Sequence, residues 1–169
     1  MGMASEVDRA YLAGIIDGEG CIHLGKREVA HPVRWSGRGR KPTSWARFDG
    51  KVHVVNTDMR LLEWLHARWP GRFITSRPPS PNQKGGVRCK PSHALYWGSR
   101  LAKPVLEEAL PFLVLKREQA EILLAFIQTL GNRGTPLSVD TYRAREVMHA
   151  RMAELNRKGI PDGSFLPLS

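Results

Sequence analysis

The chain has 169 residues, 41% of them hydrophobic, with 26 lysines and arginines against 16 aspartates and glutamates, a formal net charge of +10. That length fits one compact domain spanning the chain, and the surplus of cations points to a polyanionic partner, nucleic acid first. No apolar run approaches the ~18 residues of a spanning helix, no cationic-then-apolar leader opens the chain, and the cations do not line one helix face; membrane partners are excluded and an intracellular location is expected, in cytoplasm, nucleoid or an organelle.

Ser5 followed by Asp8 marks a helix start, a hydroxyl cap with an acid one turn later, and predicts a helix from about Glu6 to Asp17. Its small residues Ala10, Ala13 and Gly14 recur at helical spacing, so a second helix backbone can approach along that stripe. Gly18 and Gly20 are expected to end it, which leaves Asp17 and Glu19 at a helix C-terminus, where the dipole disfavours carboxylates and a bound cation would reverse the penalty. Cys21 to Arg27 then alternates as a short strand, Ile22 and Leu24 against His23, Gly25 and Arg27. Residues 28–44 read as a basic loop, and Trp45 to Val55 as the clearest strand. In it Phe48, Val52 and Val54 take one face, and Arg47, Asp49, Lys51 and His53 the other.

Thr57 or Asp58 can cap a helix carrying Leu61, Leu62, Leu65 and Trp69, stopped by Pro70-Gly71. Phe73 to Arg77 and Val87 to Trp97 flank the turn-rich segment 78–86, and Pro91 makes the second of these strands irregular or an edge. Ser99 to Leu110 is a short helix whose regular part is expected to begin near Pro104. Lys116 to Leu130 carries Leu123, Phe126, Ile127 and Leu130 at helical spacing. Ser138 to Lys158 is another helix, with Ala144, Met148, Met152 and Leu155 as its apolar side, and 160–169 is a tail. This order defines an α+β domain with an antiparallel sheet covered on one side.

The uncovered sheet face would be polar and basic, and a curved ribbon of this kind fits a DNA major groove. Arg27, Arg47, Asp49, Lys51, His53 and Arg77 are the candidates for base contacts, Arg72, Arg88 and Lys90 for phosphates, and His23 and Thr75 for DNA contacts of either kind. Cys21 and Cys89 lack metal or disulfide spacing, and no His-Glu-x-x-His or Ser/His/Asp grouping can be read.

The run Leu12-Ala13-Gly14-Ile15-Ile16-Asp17-Gly18-Glu19-Gly20 resembles the motif of the LAGLIDADG homing endonucleases, with Ile15, Gly18 and Glu19 as departures. Two further stretches are similar to single-motif members of that family, Leu110 to Ala120 and Val54 to Arg60. The resemblance implies an αββαββα fold with a saddle-shaped sheet and extra C-terminal helices. It also implies a homodimer joined through the motif helices, with Ala10, Ala13, Gly14 and Asp17 at the interface. It gives Glu19 as ligand to Mg2+ or another divalent cation, with the Gly18 carbonyl a further ligand. Lys116 is placed near the scissile phosphates, Asn56 where the family often has glutamine, and Arg60 at a supporting basic position. The implied activity is a staggered double-strand break in a long pseudo-palindromic DNA target, serving intron homing. An intron RNA-binding maturase and a catalytically silent DNA-binding protein are the alternatives. Since only one copy of the acidic helix motif occurs, one chain carries half a site.

Overall fold

The computed structural model describes residues 4–29, 45–79, 90–131 and 138–157. Elements follow in the order α1 (Glu6–Glu19), β1 (Gly20–Val29), β2 (Trp45–Asn56), α2 (Met59–Arg68), β3 (Ile74–Arg77), β4 (Ser92–Gly98), α3 (Ser99–Ala109), a 3-10 turn (Leu110–Phe112), α4 (Arg117–Gln128) and α5 (Val139–Leu155). The strands form one antiparallel sheet in the order β1-β2-β4-β3. Most of the basic loop, together with Arg88, Cys89 and the tail, lies outside the described residues.

Alternation sorts the sheet into two faces. Ile22, Leu24, Phe48, Val52, Val54, Leu95 and Trp97 are buried under the helices, where each large side chain contributes roughly 1.5–3 kcal/mol. The covering layer supplies Leu12 and Ile16 from α1, Leu62 and Leu65 from α2, Val105 and Leu106 from α3, and Leu123 and Phe126 from α4. Trp97 is fully buried and donates its indole N–H to the Trp69 carbonyl at 2.8 Å, so its one polar atom is satisfied.

Two glycines allow the layers to close. A Cβ on Gly20 would sit 2.7 Å from the Ile16 Cα, so only glycine lets β1 leave α1 without a connecting loop. A Cβ on Gly50 would overlap the Leu123 side chain, because α4 rests directly on β2 there. Gly50 lies one residue beyond the last β2–β4 pair, and the Ser99 hydroxyl takes the missing strand's place, donating to its carbonyl at 2.9 Å and accepting from its N–H at 3.1 Å.

Four local expectations change. α1 does not stop at Asp17: Gly18 is helical, and the helix runs through Glu19 to a cap at Gly20. α3 starts at Ser99 with Pro104 inside it; Pro104 is exposed, so its missing N–H removes one hydrogen bond on the solvent side without breaking the helix. The strand expected from Val87 begins at Ser92, after Pro91, which has no N–H for a ladder. Ala144 is exposed, whereas Met152 is buried and Met148 packs on the core as expected; Tyr142 against Phe48 and polar ties complete the hold on α5. Those ties are Arg145 on the Thr129 carbonyl at 2.7 Å, Lys26 to Glu146 at 2.8 Å, and Asn156 on the Ile22 carbonyl at 2.9 Å.

Candidate active site and nucleic-acid interface

The capping box foreseen at Ser5 and Asp8 is present, so α1 starts as its sequence dictates. Its other end carries Asp17 and Glu19 and has no basic residue in the last turn. The compensating cation arrives from the start of α4. Lys116 Nζ donates to the carbonyls of Ile16 and Asp17 at 2.7 Å each and of Gly20 at 2.8 Å, which uses all three ammonium hydrogens on the helix C-terminus.

Asp17 returns the favour to α4. Its carboxylate accepts the backbone N–H groups of Val114 at 2.8 Å, Leu115 at 3.2 Å and Lys116 at 2.9 Å, three donors at a helix N-terminus that has no other side-chain cap. Six hydrogen bonds therefore lock the acidic end of α1 to the segment 114–116. Burial holds the Lys116 ammonium below its ordinary range, against the opposing pull of Asp17 and Cys21. The sequence expectation put Lys116 beside phosphates; in this structure its donors are on the helix end.

Glu19 is exposed at that end, and Asn56 Nδ2 donates to its Oε2 at 2.5 Å. Asn56 is fixed in turn, because its Oδ1 accepts from the Asp58 N–H at 2.8 Å. Asp58 caps α2 and takes Arg60, whose guanidinium reaches both carboxylate oxygens. The Arg60 contact lowers the Asp58 carboxyl to about 2. Glu19, Asn56 and Arg60 are thus linked in one chain through Asp58, read from sequence only as a cap. Among the described residues no three His, Cys, Asp or Glu side chains gather to hold a metal. What the helix end offers is one carboxylate and the carbonyl of Gly18, which is not among the three that Lys116 occupies.

Of the four residues expected at a homodimer interface, two are engaged within the chain. Ala13 is fully buried in its own chain and Asp17 is engaged by 114–116, whereas Val7, Ala10, Tyr11, Gly14 and Gly18 are exposed. Space is open within 4 Å of a Cβ at both Gly14 and Gly18. Beside the helix end, Val114 and Leu115 are 81% and 74% exposed. Sequence reasoning passed over this pair; two apolar residues immediately before a charged helix start were the available signal.

On the open sheet face the strand registers bring together His23, Arg27, Arg47, Asp49, Lys51, His53, Thr75 and Arg77. Arg72 and Lys90 are exposed just before β3 and β4. Both imidazoles are held below 6.5, His53 by burial first and then Lys51 and His23, His23 by burial first, then Lys51 and His149 with Asp49 opposing. A depressed histidine binds fewer protons folded than unfolded, so it contributes stability above pH 6.5 that is lost as pH falls through the folded value. The melting temperature should hold above pH 6.5 and decline below it, and His23→Gln with His53→Gln should flatten the first part of that decline.

This order of elements, with an acid-tipped helix beside an open basic sheet, is the homing-endonuclease fold. Two structures of the homing endonuclease I-CvuI with DNA, one in the presence of Mg and one of Ca, superpose with TM-score 0.60 at 19% identity, over 96% of this chain and 87% of theirs. The archaeal intron-encoded homing endonuclease I-Vdi141I, complexed with DNA, gives TM-score 0.67 at 14% identity over 94% and 89%. The homing endonuclease I-TnaI gives 0.53 at 16% over 87% and 94%. No protein-family model and no curated protein sequence matches the chain.

Proposed function

We propose that the chain is a site-specific DNA endonuclease, acting as a homodimer in which each copy hydrolyses one strand of a long pseudo-palindromic duplex. A staggered break of this kind would serve intron homing. The observation that carries the reading is Glu19, exposed at the end of a helix locked in place by Asp17 and Lys116, braced by Asn56, and next to a sheet face rich in cations. The similar structures of I-CvuI and I-Vdi141I were solved with DNA, which suits that face.

Glu19 and the Gly18 carbonyl are hard oxygen donors, a set suited to Mg2+. Bound there, a divalent cation would polarise a phosphate and activate water. A single carboxylate per chain leaves such a site half built, and a second copy would bring its own Glu19 to it. In this reading Asn56 orients the Glu19 carboxylate, Lys116 holds the helix end with its charge, and Arg60 offsets phosphate charge. The sheet cations fix the duplex. Incubation with Mg2+ and duplexes spanning intron insertion sites, followed by sequencing of the ends, should show paired staggered cuts; duplexes left intact throughout would overturn the assignment.

The exposed stripe of α1, with Val114 and Leu115 beside its end, is the surface assigned to the second copy, since contiguous apolar patches of this kind mark interfaces. Gly14→Leu places a side chain in open space and removes a glycine from a helix, so the isolated fold should keep or gain stability, by up to about 0.8 kcal/mol. On the paired helices the same side chain would prevent close approach. Sedimentation should then show one chain where the unaltered protein shows two, with cleavage lost; an unaltered assembly would exclude this stripe.

A further inference from the structure

One row of residues crosses the whole width of the open sheet face. Cys21 on β1 pairs with His53 on β2, and His53 pairs with Tyr96 on β4. Phe73, one residue ahead of β3, lies against Tyr96 with ring centroids 5.9 Å apart. The His53 and Tyr96 rings stack at 5.4 Å with an interplanar angle of 27°. The next row is formed by Val55, Ala94 and Thr75. Phe73 is 49% and Val55 40% exposed, so these two rows show an apolar strip to solvent.

The strip interrupts a cationic surface. Arg27, Arg47 and Lys51 lie on one side of it and Arg77 on the other. Of the two His53 ring nitrogens, Nδ1 is shut off from solvent without a partner, so that atom offers nothing to a ligand on this face. The flanking cations commit the occupant to a polyanion rather than to another protein's apolar surface. Among the features of a DNA major groove, donors and acceptors need polar partners; the Tyr96 hydroxyl can serve one of them, but the rings of Phe73 and Tyr96 and the Val55 methyls would leave the others unsatisfied. The C5-methyl group of thymine is the groove's apolar feature.

Resting on the DNA-cutting reading above, we propose that Phe73, Tyr96 and Val55 are specificity-determining residues that read thymine methyl groups at one or two adjacent positions of each half-site. His53 is their stacked backing. Tyr96 carries the centre of the strip, held between two rings, and Phe73 and Val55 extend it at its two exposed edges. Arginine and lysine at either end set the register on the backbone and on neighbouring bases.

The test uses the full chain and two randomised duplex libraries, one with thymine and one with deoxyuridine in its place, which pairs identically and lacks only the methyl. From the first library the retained duplexes should be enriched in T·A pairs at fixed positions symmetric about the centre. That enrichment should vanish from the deoxyuridine library, with affinity for a selected duplex falling roughly four-fold for each contacted methyl removed. Phe73→Ala and Val55→Ala change exposed side chains and leave the core intact; each should lose the same enrichment while keeping it elsewhere. Enrichment unchanged by deoxyuridine, or by both variants, would overturn the inference while leaving DNA recognition standing. Retention of no duplex from either library would overturn the DNA reading, and this inference with it.

Discussion

Glu19→Gln should lower cleavage on the order of a thousand-fold while leaving duplex binding almost unchanged. The amide matches the carboxylate in volume and can still meet Asn56, but it lacks the charge that would hold a cation. The loss cannot be confused with unfolding. Glu19 is exposed at a helix C-terminus, where a negative charge is unfavourable, so its removal should leave thermal stability the same or slightly higher. Cleaved fraction against time with Mg2+, alongside gel-shift titration and a melt, separates the three quantities. Undiminished cutting would remove Glu19 from the mechanism.

The second large effect lies in the lock between α1 and α4. Asp17→Ala strips the acceptor from three backbone N–H groups, and Lys116→Met strips the donor from three carbonyls. Hydrogen bonds to charged groups are worth about 1.5–3 kcal/mol each when fully buried; both side chains here are half-buried, so about 2–4 kcal/mol per substitution is expected. For a chain of this size that is a fall in melting temperature of roughly 5–15 °C. The double variant should lose less than the sum, because either change opens the same joint. A double-mutant cycle by urea unfolding measures this, and additivity within about 0.5 kcal/mol would show that the two halves act independently. Lys116→Arg keeps the charge and several donors, and should recover part of the loss.

Much of the fold was legible because its signals are local. Ser5 with Asp8 is a cap written within four residues, and α1 begins where that cap places it; the helix expected from Ser138 likewise begins there, with Ser138 as its cap. Alternation in β1 and β2 separated Ile22, Val52 and Val54 from His23, Lys51 and His53, which then appeared on opposite faces. The misreadings also have local causes. Gly18 was taken for a stop because glycine commonly ends helices, but here the close approach falls at Gly20 instead. Pro104 was taken for a start, although a helix packed along its other side tolerates one lost bond.

The candidate site was legible in part. Glu19, Asn56 and Arg60 were named from sequence, and the structure links them, yet the linker Asp58 was seen only as a cap. The partner of the acidic helix end was anticipated as a cation, without a way to tell that a lysine 96–100 residues downstream supplies one. Such a contact leaves no periodic trace. The aromatic row on the open face was missed for a related reason: Phe73, Tyr96 and His53 come from three different strands or their edges, and only the register aligns them.

The distance in sequence between the two halves of that lock also sets an order of events during synthesis. Ribosomes add about 5–20 residues per second, so α1 emerges roughly 5–20 s before Lys116 can reach it. Until then its acidic tip has no counter-charge and the N–H groups of 114–116 do not yet exist to hold Asp17. A nascent chain therefore carries Glu19 on an unsecured helix end. That helix tip is fixed only once residues 114–116 have been made, by which point all four strands of the sheet already exist.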